Sequence, residues 1–282
     1  MTVGEFLTNL SIILTVMGIG ALLEVALPMF AARASGRDRR AANLGLTAVS
    51  FLSNWLLASL AALAAIQFRP AGLLANVTWP LWLQTIVGIV VLDFAVGYLS
   101  HRAMHLLPFM WRFHRIHHSD PFVDVTTTYR THPVESVWRF MFAIVPIWIL
   151  GLPPAAVVIQ RLLQATNGII EHANIRLWAP LDRVLSLLWV TPNVHKIHHS
   201  REVSETNSNC ANLLTIYDRV LGTYTPADRA RFVTYGREDE EAMARASFEG
   251  LLTMPFEPTP LGRHAVPIKE RRRHRVPGAD AN

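Results

Sequence analysis

The chain has 282 residues, 51% of them hydrophobic and 17% charged, with a mean hydropathy of +0.27. That balance excludes an ordinary soluble globular domain and points to a membrane protein. The net charge of +5 rests almost wholly on arginine, but the arginines flank apolar spans rather than forming a groove-reading motif, so nucleic acid is not an expected partner; the one cysteine, Cys210, excludes an internal disulfide and a Cys-rich metal site.

In chain order, Phe6 to Met29 is long and apolar enough to span a bilayer as a helix. A signal peptide is the rival reading, but Glu5 precedes the segment and no Arg or Lys does, so a retained helix is expected. Arg33, Arg37, Arg39 and Arg40 then form an expected basic loop on the cytoplasmic side. A second span, Ala42 to Ile66, crosses outward, and Trp79 and Trp82 mark an interfacial belt. A third span, Leu81 to Leu99, returns and carries His101 to the cytoplasmic face, where Arg102, Arg112 and Arg115 agree with that orientation.

There the chain becomes rich in histidine. His101 and His105 are four apart, so a helix points both rings from one face. His114, His117 and His118 follow as HxxHH, and a second HxxHH returns as His195, His198 and His199. At this histidine content one such motif arises by chance about once in fifty chains, and two together in roughly one in several thousand. Imidazole binds iron, zinc, copper and nickel. A tetrahedral site takes about four ligands, so eight converging imidazoles suit two ions better.

Two acceptors near the histidines are candidates for orienting them, Asp93 within the third span and Tyr98. The run VDVTTTYRTHPVE reads as an extended link, with His132 and Glu135 either near the metals or capping the next helix. Val137 to Leu150 and Ala155 to Ile170, separated by Gly151, Pro153 and Pro154, are expected to form a helical hairpin in the bilayer, because the histidines before and after it must meet. Its returning arm carries Gln160, Gln164, Asn167 and Glu171 on one face, and His172 ends the stripe as a ninth candidate ligand. Leu181 to Val190 reads as an interfacial helix, the segment from Asn207 to Pro226 as a lid with Asp218 a candidate partner for a histidine, and the Pro-rich end with Arg271 to Arg273 as a basic tail attracted to anionic lipid.

The segments HRAMH (101–105), FHRIHHSD (113–120), YRTHPVE (129–135), EHAN (171–174), HKIHH (195–199) and YDRVLGTY (217–224) together resemble the fatty acid hydroxylase / sterol desaturase superfamily. The spacing of the first five histidines also resembles that of alkylglycerol monooxygenase, an ether-lipid-cleaving member, while Tyr217 stands where many members have tryptophan. The resemblance implies an all-α fold, a membrane stem of about four embedded helices including the hairpin, under a cytosolic helical cap. It implies two iron ions held by His101, His105, His114, His117, His118, His172, His195, His198 and His199, with O2 as co-substrate and a fatty acyl, sterol or related lipid hydroxylated or desaturated. No fused cytochrome b5 domain is found, so a separate donor, a ferredoxin or a cytochrome b5-like protein, is expected. Residues 1–92 read as the N-terminal membrane helices, 93–225 as the catalytic domain and 226–282 as a cytosolic segment, the whole in a membrane, as in a bacterial inner membrane with its histidines on the cytoplasmic side. The competing readings are a zinc-dependent membrane hydrolase, with Glu171 or Glu135 as base, and a non-enzymatic metal or haem binder, which would use only one or two of the histidines.

Overall fold

The computed structural model describes residues 3–31, 36–236 and 247–257. Four of its helical stretches are long and apolar enough to cross a membrane: Gly4–Ala26, Gly36–Ala71, Leu81–Leu106 and Pro133–Leu150. The first lies in α1 (Val3–Ala26) and the second contains α2 (Gly36–Phe68). The third joins α3 (Leu81–Leu92), a π-helical segment Asp93–Leu99 and α4 (Ser100–Leu106) into one continuous rod. After α5 (Pro108–His118) comes the fourth, α6 (Pro133–Leu150), and then α7 (Pro154–His172). Short helices complete the cap: α8 (Ala179–Leu185), α9 (Pro192–His198), α10 (Val203–Thr206), α11 (Ile216–Val220) and α12 (Phe248–Thr253). The described residues hold no β-strand, only isolated bridges between Pro28 and Ile175 and between Trp189 and Leu214.

The stem packs α2 against α6 and α7, α1 against α7, and α3 against α7. Gly151 takes φ 61°, the left-handed conformation that glycine enters without a Cβ penalty, and so ends α6 and starts the turn into α7. A Cβ on Gly72 would meet the backbone of Gly151 at 2.1 Å, so two glycines are needed where the chain passes itself. Arg69 closes that end of the stem by donating to the Gly151 carbonyl at 2.7 Å and to Gln84 Oε1 at 2.6 Å. The expected hairpin is present, and both of its outer ends, Glu135 and His172, reach the histidines.

Two expectations are corrected. The basic loop is helical from Gly36 onward, with Arg33 outside the described residues, because Arg39 turns inward and is 7% exposed. The third span does not end at Leu99: a π-helical turn carries it on to Leu106. There Asp93 Oδ1 lies 2.6 Å from where a Cβ on Gly97 would stand, so a side chain at 97 would displace the carboxyl from its place in the π turn.

A buried polar network fastens the end of α2 to the loop after α5. Asp120 accepts from Arg39 Nη1 at 3.0 Å, Asn43 Nδ2 at 2.8 Å and Thr127 Oγ1 at 2.9 Å, while Arg39 Nη2 pairs with Asp124. Arg130 donates to the Ile116 carbonyl, Asn43 Oδ1 and Ser119 Oγ, each at 2.8 Å. The Ile116 carbonyl lies in the last turn of α5, where helix carbonyls lack partners and a cation is favourable. These contacts hold α5, with its three histidines, against the stem. The basic tail expected beyond residue 257 lies outside the described residues.

Replacing Asp120 by alanine leaves Arg39 buried with half its partners. Asp120→Ala is expected to destabilise the fold by about 3–5 kcal/mol, read as a lowered unfolding midpoint in detergent. Arg183→Ala, on the exposed face of α8, is expected to leave that midpoint unchanged.

Candidate metal centre

All nine predicted histidines converge and are buried, none more than 5% exposed. They form two groups, His101, His105, His114, His118 and His198, and then His117, His172, His195 and His199, with the donor nitrogens of each group within 4.8 Å of one another. Each HxxHH therefore serves both groups. In the first, His114 and His118 form the i,i+4 pair and His117 crosses over; in the second, His195 and His199 form the pair and His198 crosses over. The groups touch: the His118 and His199 rings stack with centroids 4.6 Å apart.

Ring orientation decides what the groups can bind. His101 Nδ1 faces the Cys210 carbonyl at 2.8 Å, His198 Nδ1 the Ser208 carbonyl at 2.8 Å and His172 Nδ1 the Gly168 carbonyl at 2.6 Å. A carbonyl only accepts, so each Nδ1 carries the proton and each Nε2 presents a bare lone pair. Yet His101 Nε2 and His198 Nε2 stand 3.1 Å apart. Two lone pairs at that distance repel, and no hydrogen bond between them is available. A cation between the nitrogens removes the conflict. Nε2 pairs recur through both groups at 3.0–3.2 Å. For metal–nitrogen bonds of about 2.1 Å, neighbouring ligands at right angles lie ~3.0 Å apart and tetrahedral ones ~3.4 Å apart. The donor set thus fits two first-row transition ions whose ligands stand nearer right angles than tetrahedral ones. Proton occupancy is no alternative: burial, reinforced by neighbouring imidazoles, holds His114, His117, His118, His195 and His199 well below the ordinary imidazole range.

The six further candidates divide sharply. Glu135 meets the cluster directly, its Oε2 accepting from His114 Nδ1 at 2.8 Å, while its Oε1 accepts from the His132 backbone N–H at 3.4 Å and caps α6. His132 caps the same helix through Val134 N–H at 3.2 Å and packs on Phe113, away from the histidine groups. Glu171 accepts from Asn212 Nδ2 at 2.9 Å and stands 3.8 Å from His195 Nε2. Asp218 reaches the centre through a peptide: it accepts from the backbone N–H groups of Cys210 (3.0 Å) and Ala211 (2.8 Å), and the Cys210 carbonyl in turn receives His101. Tyr98 is one step further out, bonded at 3.1 Å to Thr223, which donates to Asp218 at 2.6 Å. Asp93 faces the Tyr217 hydroxyl and the Leu213 and Leu214 backbone, not an imidazole.

Lys196, inside the second HxxHH, carries no signal in the sequence beyond its place between ligands. It is fully buried and donates to the Ala173 carbonyl at 2.5 Å, closing the end of α7 just past His172. Burial lowers its ammonium to about 7, against the pull of Glu24 and Asp182. Asn174 explains the EHAN segment. Its amide bonds both the N–H and the carbonyl of Phe30, and its own N–H donates to Glu24, so the end of α1 is fixed to the end of α7.

A cavity of about 220 Å³ runs from the centre into the stem. His101, His117, His172 and His195 lie at one end, so both groups border it, and Leu10, Trp55, Val157 and Leu162 form apolar wall from α1, α2 and α7.

Membrane-type helices that end in a buried polyhistidine centre, open to an apolar cavity, define a class of metal-binding membrane proteins. Residues 85–223 match the family model described as "Fatty acid hydroxylase", and this segment belongs to that family, within the superfamily the motifs indicate. The chain is 33% identical over 179 residues to the ornithine lipid hydroxylase OlsE of Rhizobium tropici, covering 63% of this chain and 52% of the relative. It is 30% identical over 151 residues to alkylglycerol monooxygenase of Xenopus tropicalis, covering 52% and 31%. To the fatty acid hydroxylase vlmA of Lecanicillium sp it is 24% identical over 171 residues, covering 55% and 46%. The chain thus spans about half the length of the first of these relatives and less of the others. No solved structure matches it significantly.

His198 titrates at 6.5 when free but only at about 4 in the folded protein, because burial opposes its charge. Between those values the unfolded chain binds more protons, so stability falls as pH drops below 6.5 and stops falling near 4. Metal-free protein is expected to show a lower unfolding midpoint at pH 5 than at pH 7, and metal to restore much of the difference; an unchanged midpoint contradicts neutral histidines in the fold.

Proposed function

We propose that this protein is an O2-dependent lipid hydroxylase whose nine converging histidines hold two iron ions. The observation that carries the reading is the bare Nε2 lone pair of His101 facing those of His114 and His198 at 3.0–3.1 Å, beside an apolar-walled cavity. Ornithine lipid hydroxylase, alkylglycerol monooxygenase and fatty acid hydroxylase, the names of the relatives, all favour insertion of oxygen into a lipid over desaturation. A donor set of nine imidazoles exceeds what one hydrolytic zinc uses, and Glu135 and Glu171 are engaged by His114, Asn167 and Asn212 rather than free to act as bases.

When bound, iron supplies the valence change that lets O2 deliver one oxygen atom to a C–H bond. The protein's part is placement. The Cys210, Gly168 and Ser208 carbonyls hold the proton on Nδ1 of His101, His172 and His198 and aim Nε2 inward. Glu135 does the same for His114 with a charged acceptor, which makes that imidazole a stronger donor. The cavity walls exclude water and lead a lipid chain toward His101, His117, His172 and His195. Residues 93–225 form the catalytic unit in this reading. Electrons arrive from a separate ferredoxin or cytochrome b5-like donor, on the cytoplasmic side of a bacterial inner membrane, which agrees with the Arg37, Arg39 and Arg40 cluster at the histidine end of α2.

Anaerobically purified protein is expected to hold two irons and, with a reductant, to consume O2 while a lipid gains the mass of one oxygen atom. Zinc alone, with turnover indifferent to O2, would overturn the reading. His118→Ala and His199→Ala are each expected to lower metal content and abolish hydroxylation, since they sit in different groups. His132→Ala, and His264→Ala and His274→Ala outside the described residues, are expected to leave metal content intact. Glu135→Gln is expected to weaken metal binding or activity about 10–100-fold.

A further inference from the structure

The cavity wall carries two arginines that the reaction does not need. Arg139 lies in α6, one helical turn beyond Glu135, and Arg161 lies in α7, eleven residues before His172 and so about 16 Å from it along the helix. Both line the cavity within the stem, beside Asn9, Asn54 and Gln164. Only Arg139 has a carboxylate neighbour, and that one is shared. Arg161 donates to Asn54 Oδ1 at 2.7 Å, an uncharged acceptor, and among the described residues it forms no ion pair. Arg139 approaches Glu135 only to 3.9 Å, and that carboxylate is already bonded to His114 at 2.8 Å. Arg139 also opposes the charge on Arg161, while Glu135 and Glu171 lie on the side of Arg139. An ionisable side chain inside a membrane stem is costly, faces the bundle interior or a cavity, and usually has a partner. Here both charges face the cavity: Arg139 has only a long, shared contact with Glu135, and Arg161 has no acidic partner among the described residues.

We propose that Arg139 and Arg161 form the recognition site for an acidic group, a carboxylate or phosphate, on the lipid whose chain reaches the histidine centre. The proposal rests on reading the cavity as the substrate site and names the substrate class, an anionic amphiphile. Guanidinium suits either acid, since its planar donors match carboxylate and phosphate oxygens. The apolar walls made by Leu10, Trp55, Val157 and Leu162 suit the attached chain and give a free inorganic anion nothing to bury. Asn54 holds one end of the Arg161 fork in place, so the guanidinium is aimed before the ligand arrives. An acid seated at Arg161 would fix how much chain lies between it and the metals, and so which carbon is presented.

The test measures binding, not turnover, on the full-length metal-loaded protein in detergent. A fluorescent fatty acid serves as probe. An unlabelled long-chain fatty acid, the alkyl phosphate, the alcohol of the same chain and inorganic phosphate serve as competitors. The acid and alkyl phosphate are expected to bind at least about tenfold tighter than the alcohol, and inorganic phosphate not to compete. Arg139→Gln and Arg161→Gln are expected to bring acid affinity down toward that of the alcohol, with alcohol affinity and metal content unchanged. Arg161→Lys, which keeps the charge, is expected to retain part of the preference. Equal binding of acid and alcohol by the unaltered protein overturns the proposal, whatever the variants do. So does equal loss of both lipids in glutamine variants that keep their metal, or competition by inorganic phosphate as strong as by the acid. If the arginines govern acid binding but no O2-dependent product forms, the hydroxylase reading falls and the anion site stands. If lipids are hydroxylated but bound without preference for an acid, the anion site falls and the hydroxylase reading stands.

Discussion

Unshared electron pairs on imidazole nitrogens do not tolerate one another at 3 Å in a dry interior, and this protein places those of His101, His114 and His198 there. The rest of the structure reads as the apparatus that makes such an arrangement possible. Backbone carbonyls at Cys210, Ser208 and Gly168 lock three rings with the lone pair inward. Those carbonyls are themselves secured: Asp218 clamps the Cys210 and Ala211 amides, and Asn209 ties the Ser208 region to Val194 and Thr225. If the cluster holds cations as proposed, they would relieve that repulsion, and folding and metal binding would be linked.

Helical periodicity explains how few residues suffice. A histidine every fourth position gives two rings to one ion, and a third ring at the intermediate position is rotated toward a neighbouring ion. The HxxHH pattern, used once in α5 and once at α9, is thus a three-ring fork serving two groups, with the two forks interlocked. That interlocking needs α5 and α9 pressed together although some eighty residues separate them in sequence. The hairpin of α6 and α7 fills the interval by leaving the cap, turning at Gly151 and coming back with His172. The buried Arg39, Asp120, Asn43 and Arg130 contacts, costly to desolvate singly, are tolerated because each charge has several partners.

The histidines, the four spanning stretches and the returning hairpin are legible in the sequence because each has a periodic signature: apolar runs for spans, i,i+4 spacing for rings. What stays hidden depends on packing. The division of each HxxHH between two groups follows from where the other helix lies, which spacing alone does not state. The π turn at Asp93 to Leu99 has no residue pattern of its own, although Asp93 beside Gly97 is intelligible once seen. Asp218 is legible as a partner of the centre but acts through the Cys210 peptide, and backbone-mediated contacts leave no mark in side-chain identity. Glu135 is both a cap and a histidine partner, two roles that the sequence presents as alternatives. Arg37, Arg39 and Arg40 look like a loop when charge is weighed over helix propensity, and Arg139 and Arg161 are easily lost inside apolar arms. An ionisable residue in such an arm is itself the available signal.

The choice of donors has a consequence for the lipid. Carboxylate ligands beside a bilayer would bury negative charge whenever the ions are absent, whereas imidazoles are neutral when empty and cost only polar burial. The drawback of that choice appears in the loaded state: the described residues place Glu135 and Glu171 as the carboxylates beside nine neutral ligands, too few to balance two divalent ions. Arg139 adds a further positive charge on the same wall. If two divalent ions are bound as proposed, the cavity would be electropositive, and low-dielectric walls would extend that field further than water does. On that reading a neutral lipid would gain nothing from the field, while an acidic one would be held at a set depth. Neutral metal ligands and cavity-facing stem arginines would then be two parts of one electrostatic design.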